Sequence, residues 1–455
     1  MTERYIAALD PGTAWIRLCV AKEDSDGFEI LHYGKVPSAG IRFGRVVNQV
    51  KAAECIRRAL DKAEEELGFK IGAVASVYPR SEIRRASGKS EVSLVSEKKC
   101  ISDEEIQLLK DTVKNEFSKD LTEGEDIYEA VAQYFNTDEL VHCSEEDIKG
   151  SCSPTLEGSF HLYCGRESFR RNFDSALESA GLRLERIYFA PLVVGEEILS
   201  TSEKDNGVAL VEMGAGVTSV SIFHSGVLRH HACFPFAGRS ITLDLKNEIG
   251  ISEQLAENIK LAYGACCPDK LQSLGDKTLL VETDVEEKKV SAKKISEIID
   301  CRIREIYEAV MYIINQSGLA GKLRSGIVLT GGSATIPNAA MLLRDLTGYS
   351  VRIGAPRREG DSAGSIPELD EPGSAGVISI LKAALADKYA FSSPKKAPEP
   401  SYEETVFEPK APEKPKSKGI RNPFASKTSD LKKKMDDVGD QIGDLFAKLA
   451  DDESN

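Results

Sequence analysis

The chain reads as an α/β protein of two lobes facing each other across a cleft, with a small α+β domain inserted in the first lobe. Three features of its 455 residues predict this. Two segments look like copies of one pattern: YIAALDPGT over Tyr5–Thr13, followed by the apolar run Trp15–Val20, and VALVEMGAGVT over Val208–Thr218, followed by Val220–Phe223. A third glycine turn, LTGGS over Leu329–Ser333, follows about 115 residues later. From 82 to 164 the character changes to short alternating strands around one helix, which marks the insert.

The elements follow in order. Tyr5–Leu9 and Trp15–Val20 are two strands around a turn. Ala52–Leu67 is a helix, because Ala53, Ile56, Ala59, Leu60, Ala63 and Leu67 recur at helical spacing. Ala73–Tyr78 is a strand. In the insert, Glu91–Val95, Tyr128–Phe135 and Ser159–Cys164 are strands, and Ser102 with Glu105 opens a helix as a capping box. Gly207–Phe223 is the second strand–turn–strand unit, Ser252–Tyr263 and Lys293–Asn315 are helices, Gly326–Thr330 is a strand, and Val377–Tyr389 is the last helix of the globular part. The expected boundaries are 1–81 with 165–205 for the first lobe, 82–164 for the insert, and 206–390 for the second lobe, including a helical subdomain at 240–320. A proline- and lysine-rich linker at 391–428 and an amphipathic helix at 429–450 complete the chain.

Composition narrows the chemistry. A net charge of −14 argues against non-specific nucleic-acid binding. Ten cysteines without a C-x-x-C pair read as reduced thiols of a cytosolic protein rather than zinc ligands. No run of eighteen apolar residues predicts a membrane-crossing helix, and the first residues lack the apolar core of a signal peptide, so export by that route is not expected.

Each copied segment is an apolar strand, an acid, a glycine turn, a hydroxyl residue and another strand. Backbone amides of such a turn can converge on phosphate oxygens, and glycine permits close approach. This nominates Asp10, Gly12, Thr13, Ala14 and Trp15 in the first copy and Gly214, Ala215, Gly216, Val217 and Thr218 in the second. Arg17 lies on the face of Thr13 and Trp15 and can reach a phosphate. Asp10 and Glu212 end their strands where a water-coordinated Mg²⁺ can be held. Gly331, Gly332 and Ser333 lack the bulk that would keep a flat adenine off the backbone. ATP with Mg²⁺ is therefore the expected ligand. No G-x-x-x-x-G-K-[ST] sequence is present, so a P-loop is excluded.

The order of these turns resembles the actin-like ATPase superfamily and, within it, the FtsA family of bacterial cell-division proteins. SAGIRFGRVV at Ser38–Val47, GVLRH at Gly226–His230, GRSITLD at Gly238–Asp244, AENIKLAYG at Ala256–Gly264, SGIVLTGG at Ser325–Gly332 and VRIGAP at Val351–Pro356 carry the likeness, which spans about residues 4–390 and includes the insert. The resemblance implies that Glu257 and Lys260 flank the nucleotide. It also implies a cytoplasmic scaffold, peripheral on the inner face of the cell membrane at the division site. This scaffold would polymerise, bind the C-terminal peptide of the tubulin-like FtsZ through the 240–320 subdomain, and meet other division proteins. Lys293 and Lys294 can pair with an acidic peptide, although an ordinary solvated helix start has the same composition. The chain departs from the family at Glu212, where an aspartate is usual, and at Ser219, where many members carry a second acid. Leu192 stands where actin has its water-positioning glutamine, with Glu196 one turn on. These departures imply at most slow hydrolysis and leave no assigned catalytic residue.

In the tail, Leu431, Met435, Val438, Ile442, Leu445, Phe446 and Leu449 share one helical face, preceded by lysines and one arginine from Lys414 to Lys434. That face suits either an anionic lipid surface or a partner helix. A pilus-assembly protein of the PilM kind and an actin-fold phosphotransferase are the alternatives. The linker and terminal helix favour FtsA over the first, and the absence of an additional well-placed acid disfavours the second.

Overall fold

A computed structural model describes residues 4–23, 27–94, 100–270, 277–282, 287–357 and 366–387. The linker and the terminal helix with its seven apolar residues lie outside them. The strands are β1 Arg4–Pro11, β2 Trp15–Glu23, β3 Phe28–Pro37, β4 Ile41–Arg42, β5 Arg45–Val46, β6 Ala73–Val77, β7 Arg84–Ser93, β8 Glu125–Asn136, β9 Thr155–Arg166, β10 Arg183–Tyr188, β11 Val208–Met213, β12 Thr218–His224, β13 Val227–Phe234, β14 Thr278–Glu282, β15 Glu287–Ser291, β16 Ile327–Thr330 and β17 Val351–Ile353.

The two expected copies become two five-stranded sheets of the same topology. The first runs β3-β2-β1-β6-β10 and the second β13-β12-β11-β16-β17. In each, three strands meander antiparallel and two more lie parallel to the first of them. The registers match as well: Asp10 faces Arg17 across the first hairpin, and Glu212 faces Ser219 across the second. Each meander has a third strand, β3 or β13, beyond the two that the apolar runs indicate. Both carry exposed or half-exposed positions along much of their length, so their hydrophobic signal is diluted.

Helices cover both faces of the first sheet. The helix Gln49–Leu67 starts three residues before its apolar stripe. There Asn48 caps it by accepting from the Lys51 amide at 3.0 Å, and Gly68 ends it at φ 73°. Ile56, Leu60 and Ala63 of this helix pack with Phe173 and Leu177 against Leu9, Ile16 and Leu18. The opposite face, with Ile6, Ala8 and Cys19, is covered by Val377, Ile380 and Leu381 of the helix Ala375–Ala386. That helix falls within the range expected for the second lobe, yet it packs on the first sheet. It is apolar nearly all round, so its periodicity does not reveal which sheet it covers. The second sheet buries Val211, Val220 and Ile222 against Ile241, Leu245, Ile299, Ile303 and Leu343 of its own helices.

The insert is a three-stranded antiparallel sheet, β7-β9-β8, packed against the helix Asp103–Phe117 through Leu109, Val113, Phe160 and Leu162. The capping box forms, with the Ser102 amide donating to Glu105 at 3.0 Å. A shared cluster joins the three sheets. Tyr128 and Tyr163 of the insert meet Phe189 and Val194 of the first lobe and Phe223 and Leu228 of the second, with Tyr163 stacked on Phe189 at 4.9 Å.

Polar groups also tie the insert to β13. Gln133 donates to the Leu228 carbonyl at 3.1 Å, Arg229 donates to the Gln133 carbonyl at 3.0 Å, and Arg85 lies 3.1 Å from His230. Burial, with help from neighbouring charges, pushes His161 and His230 down to about 4 and His231 to about 3. Between these values and the unfolded value near 6.5, the unfolded chain takes up protons that the folded chain refuses. Stability is therefore lost as pH falls through that window. Denaturant midpoints should drop between pH 7 and pH 5, by up to about 1.4 kcal/mol per pH unit for a histidine as buried as His231, and His231→Gln should flatten the slope. Equal stability at the two pH values would contradict this.

Candidate nucleotide cleft

The carboxyl ends of the parallel strands in the two sheets converge on one cleft of ≈ 330 Å³. Of the sequence-nominated residues, Asp10, Gly12, Thr13, Ala14, Trp15, Arg17, Glu212, Gly214, Ala215, Gly216, Val217, Glu257, Lys260, Gly331, Gly332 and Ser333 line it. Thr218 does not. It is fully buried and its hydroxyl donates to the Phe236 carbonyl at 2.6 Å, so it braces β12 rather than facing the opening. Lys293 and Lys294 lie elsewhere, exposed in the first turn of the helix Ala292–Gln316.

The two hairpin turns are built alike and touch. A Cβ on Gly12 would come within 2.6 Å of the Trp15 carbonyl, and one on Gly214 within 3.2 Å of the Val217 carbonyl, the same three-residue offset in both. A Cβ on Gly216 would meet the Thr13 hydroxyl at 2.6 Å, which makes this the point where the turns approach each other. Trp15 is 37% exposed beside Lys35, whose ammonium lies 5.8 Å from the indole centroid.

On the second-lobe side, the first amides of the helix Gly238–Ile249 close onto the second turn: Gly238 donates to the Gly214 carbonyl at 3.1 Å and Arg239 to that of Ala215 at 2.7 Å. Ser333 also donates to the Gly214 carbonyl, at 2.7 Å. Lys260 is 9% exposed, and its ammonium binds the Gly238 carbonyl, the Thr242 hydroxyl and Glu257 at 2.8–3.0 Å. Burial lowers its pKa, and Glu257 works against that shift. All three donors of Lys260 are spent, so its role in this geometry is to fix the wall of the cleft. The glycines of the third turn differ: Gly331, at φ 88°, leaves no room for a Cβ against Met213, whereas a Cβ on Gly332 would meet nothing within 4 Å among the described residues. Gly332 is the open ledge.

Asp10 and Glu212, the expected holders of Mg²⁺, are both engaged by a residue the motifs do not include. Arg80, three residues beyond β6, pairs with Glu212 through one terminal nitrogen and lies 3.5 Å from Asp10 through the other. Burial alone would lower its pKa, but Glu212 and then Asp10 outweigh this and hold it charged. The place between the carboxylates holds a guanidinium, and a hydrated divalent cation does not fit there. The signal for Arg80 was positional: it follows a strand that runs parallel to β1, where such sheets place ligand-facing residues. Gly373 and Gly376 were missed too. A Cβ on the first would sit 3.2 Å from Arg17, and one on the second 2.7 Å from Asp10. Leu192 is half-buried in the shared apolar cluster, and Glu196 is exposed and paired with Lys204. Neither lines the cleft.

The sequence and the fold have relatives. The model of the family described as cell division protein FtsA matches residues 209–379. The cell division protein FtsA of Neisseria meningitidis is 29% identical over 388 residues, covering 84% of this chain and 90% of the relative. That of Streptococcus pneumoniae is 27% identical over 384 residues, covering 84% and 80%. Among solved structures, a PilM–PilN type IV pilus biogenesis complex matches with TM-score 0.61 at 13% identity, over 84% of this chain and 98% of that one. MreB5 of Spiroplasma citri bound to ADP matches with TM-score 0.50 at 14% identity, over the same shares. Two sheets of one topology around a shared cleft are a fold this chain shares with these solved structures, and in sequence it is similar to cell division protein FtsA.

Proposed function

We propose that this protein is an ATP-binding cell-division scaffold. Nucleotide in the cleft would bias its polymerisation, and the polymer would link FtsZ to the inner face of the cytoplasmic membrane. The observation that carries the nucleotide reading is the convergence of two equivalent glycine hairpins and the open Gly332 ledge on one cleft. The solved MreB5 structures, of the same fold, hold ADP or AMPPNP. The division role rests on the FtsA relatives. Asp10 and Glu212 are engaged by Arg80 and Glu257 by Lys260, which leaves none of these carboxylates free as a general base and favours a scaffold over a phosphotransferase. With Leu192 and Glu196 outside the cleft, ATP turnover should stay below about 1 s⁻¹, the low end of ordinary enzymes.

The partner reading is supported by charge. Lys293 and Lys294 sit at a helix N-terminus, where the helix dipole disfavours cations, and next to the lysines of β15, Lys288 and Lys289. Such a cluster in a chain of net charge −14 suits an acidic peptide. Attachment to lipid rests on the terminal apolar face and on many tails presented together by a polymer.

Two experiments test this function. Gly332→Val should leave the melting temperature unchanged, because its side chain enters open space, but should weaken ATP binding, read by Trp15 fluorescence or calorimetry, by roughly tenfold or more. Wild-type-like affinity would remove the third turn from the site. Lys293→Glu with Lys294→Glu should weaken binding of the FtsZ C-terminal peptide and flatten its salt dependence. Equal affinity and equal salt slope would take these lysines out of the interface.

A further inference from the structure

The cleft brings its own cation to the place where a metal was expected. Arg80 is positioned by its backbone: its amide donates to the Gly44 carbonyl at 2.9 Å, and a Cβ on Gly44 would lie 3.1 Å from the Arg80 Cβ. Its guanidinium is held between Glu212 of the second sheet and Asp10 of the first, with 21% of the side chain exposed. Gly376, at the start of the helix Ala375–Ala386, closes the far side, since a Cβ there would lie 2.7 Å from Asp10 and 3.1 Å from Arg80. A Mg²⁺ with its retained waters would have to expel the guanidinium and leave a buried charge uncompensated.

Two further observations point toward a polyanion. The Arg80 nitrogen nearest Asp10 is buried with no hydrogen-bond partner among the described residues, and so is the Arg17 Nε. Buried donors of this kind are normally satisfied, so these are poised for an acceptor. The lining side chains also carry an excess of positive charge without any metal: Arg17, Lys35, Arg45, Arg80 and Lys260 against Asp10, Glu212, Glu257 and Glu371.

We infer that Arg80 takes the place of a divalent cation, bridging Asp10 and Glu212 across the cleft and donating to the phosphates, so that nucleotide binds without a metal requirement. This rests on the nucleotide reading above. Donation from a guanidinium to phosphate is charge-assisted, and its bidentate geometry suits a terminal phosphate better than a lysine would.

The test is a titration of the full chain with ATP, followed by Trp15 fluorescence and by calorimetry, in excess EDTA and in millimolar Mg²⁺. The wild-type dissociation constants in the two buffers should agree within about threefold. Arg80→Ala should weaken binding in EDTA by about tenfold or more, the loss of one charge-assisted contact, and should acquire a dependence on Mg²⁺. Arg80→Lys, which keeps the charge between the carboxylates, should bind in EDTA with an affinity between the two and covers the case in which the alanine variant does not fold. A wild-type affinity that collapses more than about tenfold on chelation overturns the inference while leaving the nucleotide reading intact. So does an Arg80→Ala protein, or failing that an Arg80→Lys protein, indistinguishable from wild type in both buffers. No ATP binding in either buffer overturns both.

Discussion

Two carboxylates, Asp10 and Glu212, each stand one residue before the end of the central strand of their sheet and face the same narrow space. Like charges brought together out of bulk water repel strongly, so the arrangement persists only with a cation between them. Arg80 is that cation, and much of the cleft is arranged around it. Gly44 and Gly376 lack side chains where the guanidinium and its partners pass, and Arg17 approaches the outer oxygen of Asp10 at 4.0 Å. The bridge thus joins residues of the two sheets.

The rest of the cleft follows from one pattern used twice and from where the two halves differ. Both halves use a glycine three residues before a carbonyl that crowds it, and both carry an acid at the penultimate position of the first hairpin strand. The residue paired across from that acid differs. Arg17 in the first half contributes charge, while Ser219 in the second is small and nearly buried. The second half instead obtains its charge from a helix, through the Lys260–Glu257–Thr242 network, whose members are satisfied by one another. A satisfied network of this kind makes a rigid wall, whereas on the opposite side one nitrogen each of Arg17 and Arg80 is buried without a hydrogen bond among the described residues.

Away from the cleft, the insert is attached in two ways. Aromatic packing through Tyr128, Tyr163 and Phe189 is indifferent to pH, but the neighbouring Arg85, Arg229, His161 and His230 are all cationic or potentially so. Burial favours the neutral histidines there, which makes that contact sensitive to acid. The lysines at the start of the helix Ala292–Gln316 are the reverse case: exposed and cationic at a helix N-terminus, they gain nothing from the helix dipole.

The sequence by itself determined the two-lobed α/β plan, the insert and the three glycine turns of the cleft. Those features are local: an apolar strand, an acid and a glycine turn lie within a dozen residues, and their repetition at Tyr5 and Val208 is visible without any fold. Tertiary structure decided what depends on residues distant in the chain. Thr218 looks equivalent to Thr13 in the motif, but packing turned its hydroxyl onto Phe236. The helix Ala375–Ala386 follows the second lobe in sequence and packs on the first, because an all-apolar helix carries no periodicity to assign its partner. Arg80 belongs to no motif. It meets Asp10 seventy residues away and Glu212 one hundred and thirty-two residues away only after parallel pairing sets β6 beside β1 and the two lobes close on each other. Long-range electrostatic pairing leaves no local pattern, so the cation that occupies the heart of the cleft became visible only in three dimensions.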